Sequence, residues 1–219
     1  MIPLLTVAQD RPLRILCLGA HCDDIEIGCG ATLRKLIART HGAELAWHVF
    51  SSNPARAQEA ERSATRFLEG AVASQVEIRE FRNGYFPFNG AEIKDCFEAL
   101  KSGPEPDIVF THYGKDAHQD HRTISELTWN TFRNHQILEY EIAKYDGDLG
   151  APNFFVPAGK ADTDFKISTI LQCFATQASK QWFDDRTFYA LMRLRGIECN
   201  ADSGYAEAFY ARKTVFSGT

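Results

Sequence analysis

Two clusters of histidine and acid hold the residue types that metal-assisted hydrolysis needs. The first is His21-Cys22-Asp23-Asp24-Ile25-Glu26. The second is His112-Tyr113-Gly114-Lys115-Asp116-Ala117-His118-Gln119-Asp120-His121. A catalytic zinc takes three ligands of the His, Asp or Glu kind and keeps a fourth position open for water. His21 and Asp24 can converge from one tight loop, and His121 can complete the set. Asp23 is then left over beside a ligand, where a carboxylate can accept a proton from an attacking water. His118 is also left over. If protonated, it could stabilise an oxyanion and then protonate a leaving amine.

Elements far apart in sequence must bring these clusters together. The apolar run 14–18 reads as a buried strand that ends at Gly19-Ala20-His21. A helix follows over 31–39, stopped by His41-Gly42, then a strand over 44–50. Residues 54–70 read as a helix with Pro54 near its start, 75–81 as a strand, and 91–101 as a helix closed by Gly103-Pro104. Residues 107–111 form a fourth predicted strand and 123–133 a fourth helix. Such alternation predicts an α/β fold with a parallel sheet and helices on both faces. Both clusters then follow the C-terminal ends of strands, where ligands gather in open α/β sheets.

The last third changes character. Residues 138–142 and 153–156 look extended around Asp146-Gly147-Asp148. Residues 166–174 and 186–195 look helical, and 205–215 look like a closing strand. No repeat, low-complexity tract or linker interrupts the chain. Residues 1–219 read as a single domain with a C-terminal elaboration.

Composition narrows the class. A chain of 219 residues can bury a full core, and 44% hydrophobic with 24% charged residues suits a globular protein. The formal charge of -5 argues against a nucleic-acid partner, which would need a basic field. No stretch approaches the roughly 20 apolar residues of an integral membrane segment. Residues 1–12 lack the basic and apolar regions of a signal peptide and read as a tail or short edge element. None of the six cysteines forms a C-x-x-C pair, and Cys17 reads as a small core residue. A cytoplasmic protein without structural disulfides is the simplest account. Homo-oligomer formation is left open.

The two clusters resemble the signatures of the LmbE-like (PIG-L) de-N-acetylases, a family that includes N-acetylglucosaminyl-phosphatidylinositol, mycothiol-pathway and bacillithiol-pathway deacetylases. The family patterns A-H-P-D-D-x-E and H-P-D-H stand here as Ala20-His21-Cys22-Asp23-Asp24-Ile25-Glu26 and His118-Gln119-Asp120-His121. Weaker points of similarity are Arg56 with Glu59, Phe174-Ala175-Thr176-Gln177, and Tyr205-Ala206-Glu207-Ala208-Phe209. The resemblance implies a Rossmann-like domain, in agreement with the strand-helix alternation. It implies zinc held by His21, Asp24 and His121, with Asp23 as general base. It implies His118 as the electrostatic and acid group, oriented by Asp120, and Arg56 as a residue binding a sugar hydroxyl or phosphate. The implied substrate is an N-acetylated sugar, free, glycosidic or nucleotide-linked. His and Asp ligands also accept iron.

Two family prolines are replaced, by Cys22 and Gln119, which removes φ restraint from both loops. Cys22 is not expected to bind metal, because adjacent residues rarely point the same way. Simpler readings exist for several residues. Asp23 and Asp24 suit a helix start, but a helix start calls for no distant His-x-Asp-His. Arg56 could lie on a solvated helix face. His112 is left open between pocket and core, and Asp116 is expected to shape a turn. His41, His48 and His135 read as structural or solvated. Tyr85-Phe86-Pro87-Phe88 reads as a packed turn or a pocket wall, and Trp182 and Phe183 as core. Two rival functions remain. One is an amidase acting on another acylated sugar conjugate. The other is a metal- or sugar-binding module without catalysis, which would not need Asp23 or His118. A redox role for Cys22 and Cys29 lacks the C-x-x-C spacing.

Overall fold

The strand that leads into the first histidine cluster is apolar almost throughout because both of its faces are covered. The computed structural model describes residues 11–39 and 42–215. The segment 1–10, expected as a tail or edge element, and His41 lie outside the described residues. Along the chain the elements are β1 (Leu13–Gly19), α1 (Asp24–Arg39), β2 (Ala43–Val49), α2 (Pro54–Phe67), β3 (Ala73–Ile78) and α3 (Gly90–Lys101). Then follow β4 (Ile108–His112), α4 (Gln119–Thr131), β5 (Gln136–Tyr140), β6 (Phe154–Ala158), α5 (Lys160–Cys173), α6 (Asp185–Glu198) and β7 (Tyr205–Tyr210). Short 3-10 turns cover Phe86–Phe88 and Ala175–Gln177.

The strands form one seven-stranded sheet in the order β3-β2-β1-β4-β5-β7-β6. The pairs from β3 through β5 are parallel, while β7 runs antiparallel to both β5 and β6. Side chains alternate faces along a strand. Leu13, Ile15 and Cys17 of β1 therefore join Ile25 and Leu33 of α1, Phe67 of α2 and Ile170 of α5 in one layer. Leu16 and Leu18 join Phe97 of α3 and Ile124 of α4 in the other. The chain is thus a mostly parallel sheet flanked by helices, and the C-terminal elaboration is the antiparallel edge β7-β6 with α5 and α6.

Two helices begin earlier than the apolar periodicity predicts, and both extra turns lie at the histidine clusters. Helix α1 starts at Asp24 instead of residue 31. Its first turns hold Gly28 and Gly30, which read as breakers. Gly28 is required by close approach: a Cβ there would sit 2.3 Å from the Tyr140 ring. Helix α4 starts at Gln119 instead of 123, because Asp120 and His121 face inward without being apolar. Helix α2 fits its sequence signals at its start. The Asn53 side chain accepts from the backbone N–H of Ala55 and Arg56, and Pro54 follows as the first helical residue.

A buried ion pair ties the C-terminal strands to α1. Glu207 of β7 accepts the backbone N–H of Ala31 at 2.9 Å and of Thr32 at 2.7 Å. Lys166 of α5 sits 2.6 Å from Glu207 and donates to the Ile27 carbonyl at 2.7 Å. A buried carboxylate with a matched ammonium and backbone donors is satisfied on every side. The elaboration thereby fixes the helix whose first turn carries Asp24.

Candidate active site

The two histidine clusters meet where the sheet reverses its winding. Strands β1 and β4 are neighbours in the sheet, yet β1 connects outward to β2 on one side and β4 to β5 on the other. A crevice opens at such a switch point, beyond the carboxyl ends of the strands. The loop after β1 carries His21 and Asp23, and α1 opens with Asp24. The loop after β4 carries Asp116 and His118, and His121 lies in the first turn of α4. Both helix N-termini lie at the site, and their partial positive charge favours anionic groups there.

His21 Nδ1, Asp24 Oδ2 and His121 Nε2 converge. The separations are 3.1 Å for the two histidine nitrogens, 3.4 Å from His21 to Asp24, and 3.7 Å from His121 to Asp24. A tetrahedral ion with N and O ligands at about 2.0–2.1 Å would hold its ligand atoms about 3.3 Å apart. The donor set and its spacing therefore fit a divalent metal. The other nitrogen of each histidine faces a carboxylate: His21 Nε2 lies 3.3 Å from Asp120 Oδ2, and His121 Nδ1 lies 2.9 Å from Asp116 Oδ2. Such contacts fix the tautomer and the ring plane of a metal-binding histidine.

The electrostatics follow from this crowding. Burial alone would lower the His21 pKa, but the carboxylates of Asp24 and Asp120 outweigh it and raise it to about 9. Burial and the neighbouring His112 lower His121 to about 3. Burial works to raise the Asp24 carboxyl, but the surrounding histidines hold it well below the usual range. Asp120 is likewise lowered despite burial, by His21 and by the N–H groups of Gly84 and Phe86. His118, half-buried, is lowered by burial and by the charge on His21.

The family model described as PIG-L, GlcNAc-PI de-N-acetylase, matches residues 16–132, which include every residue of both clusters. The chain belongs to the PIG-L family. It is therefore a hydrolytic de-N-acetylase. The uncharacterized deacetylase YaiS of Escherichia coli (strain K12) is 30% identical over 149 residues, covering 63% of this chain and 78% of YaiS. Two solved structures share the fold. The N,N'-diacetylchitobiose deacetylase from Pyrococcus horikoshii superposes with TM-score 0.64 at 19% identity, over 90% of this chain and 82% of that one. GalB, the 4-carboxy-2-hydroxymuconate hydratase from Pseudomonas putida KT2440, gives TM-score 0.69 at 14% identity, over 94% and 99% of the two chains. At such identities the likeness is one of fold.

Within this PIG-L chain, Asp120 and Arg56 make contacts beyond those the resemblance implies. The Asp120 carboxylate turns away from His118. Its Oδ2 accepts from the Gly84 N–H at 2.6 Å and faces His21, and its Oδ1 accepts from the Phe86 N–H at 3.1 Å. Gly84 has a φ of +81°, which lets the turn aim both N–H groups at one carboxylate. His118 is held instead by the backbone, its Nδ1 accepting the Asp120 N–H at 3.2 Å as the helix cap. Arg56, which the resemblance implies binds a sugar hydroxyl or phosphate, also meets the acid beside the ligands, and its Nε has no hydrogen-bond partner among the described residues. Its Nη2 pairs with Asp23 Oδ1 at 2.5 Å, because two opposite charges in a shielded site draw together. Asp23 Oδ2 has no hydrogen-bond partner among the described residues.

The replaced prolines have other partners. The Cys22 thiol donates to the Ser51 carbonyl, away from the converging atoms, and burial pushes its pKa up to about 12. The Gln119 side chain donates to the Gly84 carbonyl at 3.1 Å and so ties α4 to the turn that holds Asp120.

Four further residues lie at the site: His112, which the sequence left open between pocket and core, Asp116, which it gave to a turn, and Lys144 and Asp148, which it did not single out. His112 is fully buried and stacks on His121 with ring centroids 3.9 Å apart. Its Nε2 accepts the Ala20 N–H at 2.9 Å and lies 3.1 Å from Asp24, so that Asp24, His112 and His121 form a second converging set of ligand atoms. Asp116 does shape the turn expected of it, with Oδ1 accepting the His118 N–H, and its other oxygen meets His121. Lys144 and Asp148, in the β5–β6 connection, reach the same loop. No motif in the sequence marks either residue. A cavity of about 470 Å³ lies elsewhere, over β2 and β3, and no residue of the histidine cluster lines it.

Proposed function

We propose that this protein hydrolyses the N-acetyl amide of an amino sugar at a divalent metal, zinc or alternatively iron, held by His21, Asp24 and His121. The observation that carries this reading is the convergence of three ligand atoms within 3.1–3.7 Å, beside a carboxylate with one uncommitted oxygen. When bound, the metal supplies Lewis acidity for the amide carbonyl and for the attacking water.

The chain's own groups carry the proton traffic. Arg56 fixes Asp23 by Oδ1, which leaves Oδ2 to take the proton of the water as its oxygen bonds to the acyl carbon. His118 accepts from the Asp120 backbone through Nδ1. In the neutral ring, Nε2 then carries the proton and can donate to the developing oxyanion. The protonated Asp23 supplies the amine as the C–N bond breaks, giving acetate and a free amino sugar.

The sugar class is supported by the family description, GlcNAc-PI de-N-acetylase. We also read residues 1–219 as one deacetylase domain of the cytoplasm. All strands of the described residues join one sheet, and all six cysteines are free and buried. Among the described residues no helix is long and apolar enough to cross a membrane.

The test is acetate release from a panel of free, glycosidic and nucleotide-linked N-acetyl sugars, before and after chelation and after return of zinc or iron. Release that disappears on chelation and returns with one of the metals supports the reading. Metal bound tightly with no release from any sugar would overturn the sugar assignment and favour an acylated conjugate of another kind.

A further inference from the structure

Behind His121 a chain of charges leads from Asp116 of the second cluster out to the β5–β6 connection. Asp116 Oδ2 lies 2.9 Å from His121 Nδ1 and 3.0 Å from Lys144 Nζ. Lys144 Nζ also pairs with Asp148 Oδ2 at 2.5 Å. The same Asp148 oxygen accepts the Ala117 N–H at 2.6 Å. Lys144 and Asp148 come from the β5–β6 connection, whose neighbouring Tyr145 and Leu149 are 68% and 44% exposed. The Lys144 side chain is only 9% exposed, because it folds inward from this surface segment. Ordering a lysine costs rotamer entropy, and shielding its charge costs hydration. Both costs are offset here by carboxylates placed on either side of it.

We propose that Lys144, braced by Asp148, is a positioning residue for the metal site. This inference rests on the metal-binding reading given above. A histidine that ligates through Nε2 must keep its proton on Nδ1 and its ring plane fixed, and a carboxylate on Nδ1 does both. Asp116 can do so only while its own oxygen is held. Lys144 supplies that hold on the oxygen that faces His121, while the other oxygen accepts the His118 N–H. Asp148 locks the lysine and, through Ala117, the loop that leads to His118. Preorganisation of His121 therefore depends on a segment outside the two histidine clusters, and metal affinity should depend on it too.

The experiment measures metal dissociation constants by chelator competition for the full-length wild type, Lys144→Met, Lys144→Arg and Asp148→Asn. The visible spectrum of each cobalt-loaded form and the melting temperature of each metal-free form complete the set. We expect about 10–100-fold weaker binding in Lys144→Met and a changed cobalt spectrum. Asp148→Asn should shift both in the same direction, and Lys144→Arg should recover most of the affinity. A merely structural lysine would lower the melting temperature and leave dissociation constant and spectrum at wild-type values, which overturns the inference. If Lys144→Met does not fold, Asp148→Asn and Lys144→Arg decide by the same readouts. A wild type that binds no metal would overturn the metal-binding reading itself. Equal affinities in wild type and variants would overturn only the role of Lys144.

Discussion

Arg56 Nη2 rests 2.5 Å from Asp23 Oδ1, so the arginine of the second helix and the proposed base form one ion pair. Asp23 is 4% exposed and its other oxygen has no partner among the described residues. The pair leaves one carboxylate oxygen committed and one available. Replacing Arg56 by Met should therefore act on the chemical step. We expect kcat to fall on the order of 100-fold as the carboxylate loses its orientation, with KM little changed. Steady-state kinetics would check this. A raised KM at unchanged kcat would instead assign Arg56 to substrate binding.

His118 is held by a backbone N–H on one ring nitrogen, and its rings meet those of His21 and His121 at centroid distances of 4.8 and 4.6 Å. Its loss removes a donor and leaves the converging atoms in place. His118→Ala should lower kcat by about 10²–10³-fold while metal content stays at the wild-type level. Loss of metal along with activity would make His118 a ligand.

Two raised pKa values predict how the metal-free protein responds to pH. Burial pushes Glu26 up to about 8, and the Asp24 and Asp120 carboxylates hold His21 at about 9. A group whose folded pKa exceeds its unfolded value stabilises fully below the unfolded value and loses that contribution as pH rises through the folded one. His121, lowered to about 3, works in the opposite sense up to about pH 6.5, so the metal-free melting temperature should fall between about pH 6.5 and pH 9. Glu26→Gln should flatten the part of the slope below about pH 8. Because His21 must lose its proton to ligate, metal affinity should rise with pH up to about 9, with proton release on binding. Calorimetry in buffers of different ionisation enthalpy would detect that release. Affinity independent of pH would remove His21 from the ligand set.

Lys166 and Glu207 test the link between the C-terminal strands and the site. Lys166→Met would leave Glu207 buried and unpaired against the backbone of α1. Breaking one side of a buried pair costs about 3–5 kcal/mol. Denaturant unfolding should show a loss of that order. A loss below ~1 kcal/mol would mean that the N–H groups of Ala31 and Thr32 suffice to hold Glu207.

The strands and the parallel order were legible because the strands predicted over 14–18 and 107–111 hold the continuous apolar runs 15–18 and 108–110. The converging His21, Asp24 and His121 could be read from residue type and from their place after strands. The early start of α4 could not, and that of α1 showed only in the suitability of Asp23 and Asp24 for a helix start. Gly28 reads as a breaker, and its need for contact with Tyr140 exists only in three dimensions. Gln119 to His121 carry polar side chains inward, so no apolar period marks their turn. The resemblance implies that Asp120 orients His118; the backbone N–H of Asp120 does meet His118, while the helix directs its carboxylate across to His21 and to the turn at Gly84 and Phe86. Asp116 carried a faint signal, an acid shortly before a histidine across a turn. Lys144 carried none.

Metal content measured beside turnover, in Asp24→Ala and Asp23→Asn, tests the proposed site most directly. These neighbours in one loop are assigned different tasks, one to hold the metal and one to move a proton. If the assignment is right, Asp24→Ala loses both metal and acetate release. Asp23→Asn then keeps about one equivalent of metal and loses turnover by about 10²–10⁴-fold. Metal retained at wild-type affinity in Asp24→Ala, or near-normal turnover in Asp23→Asn, would contradict it.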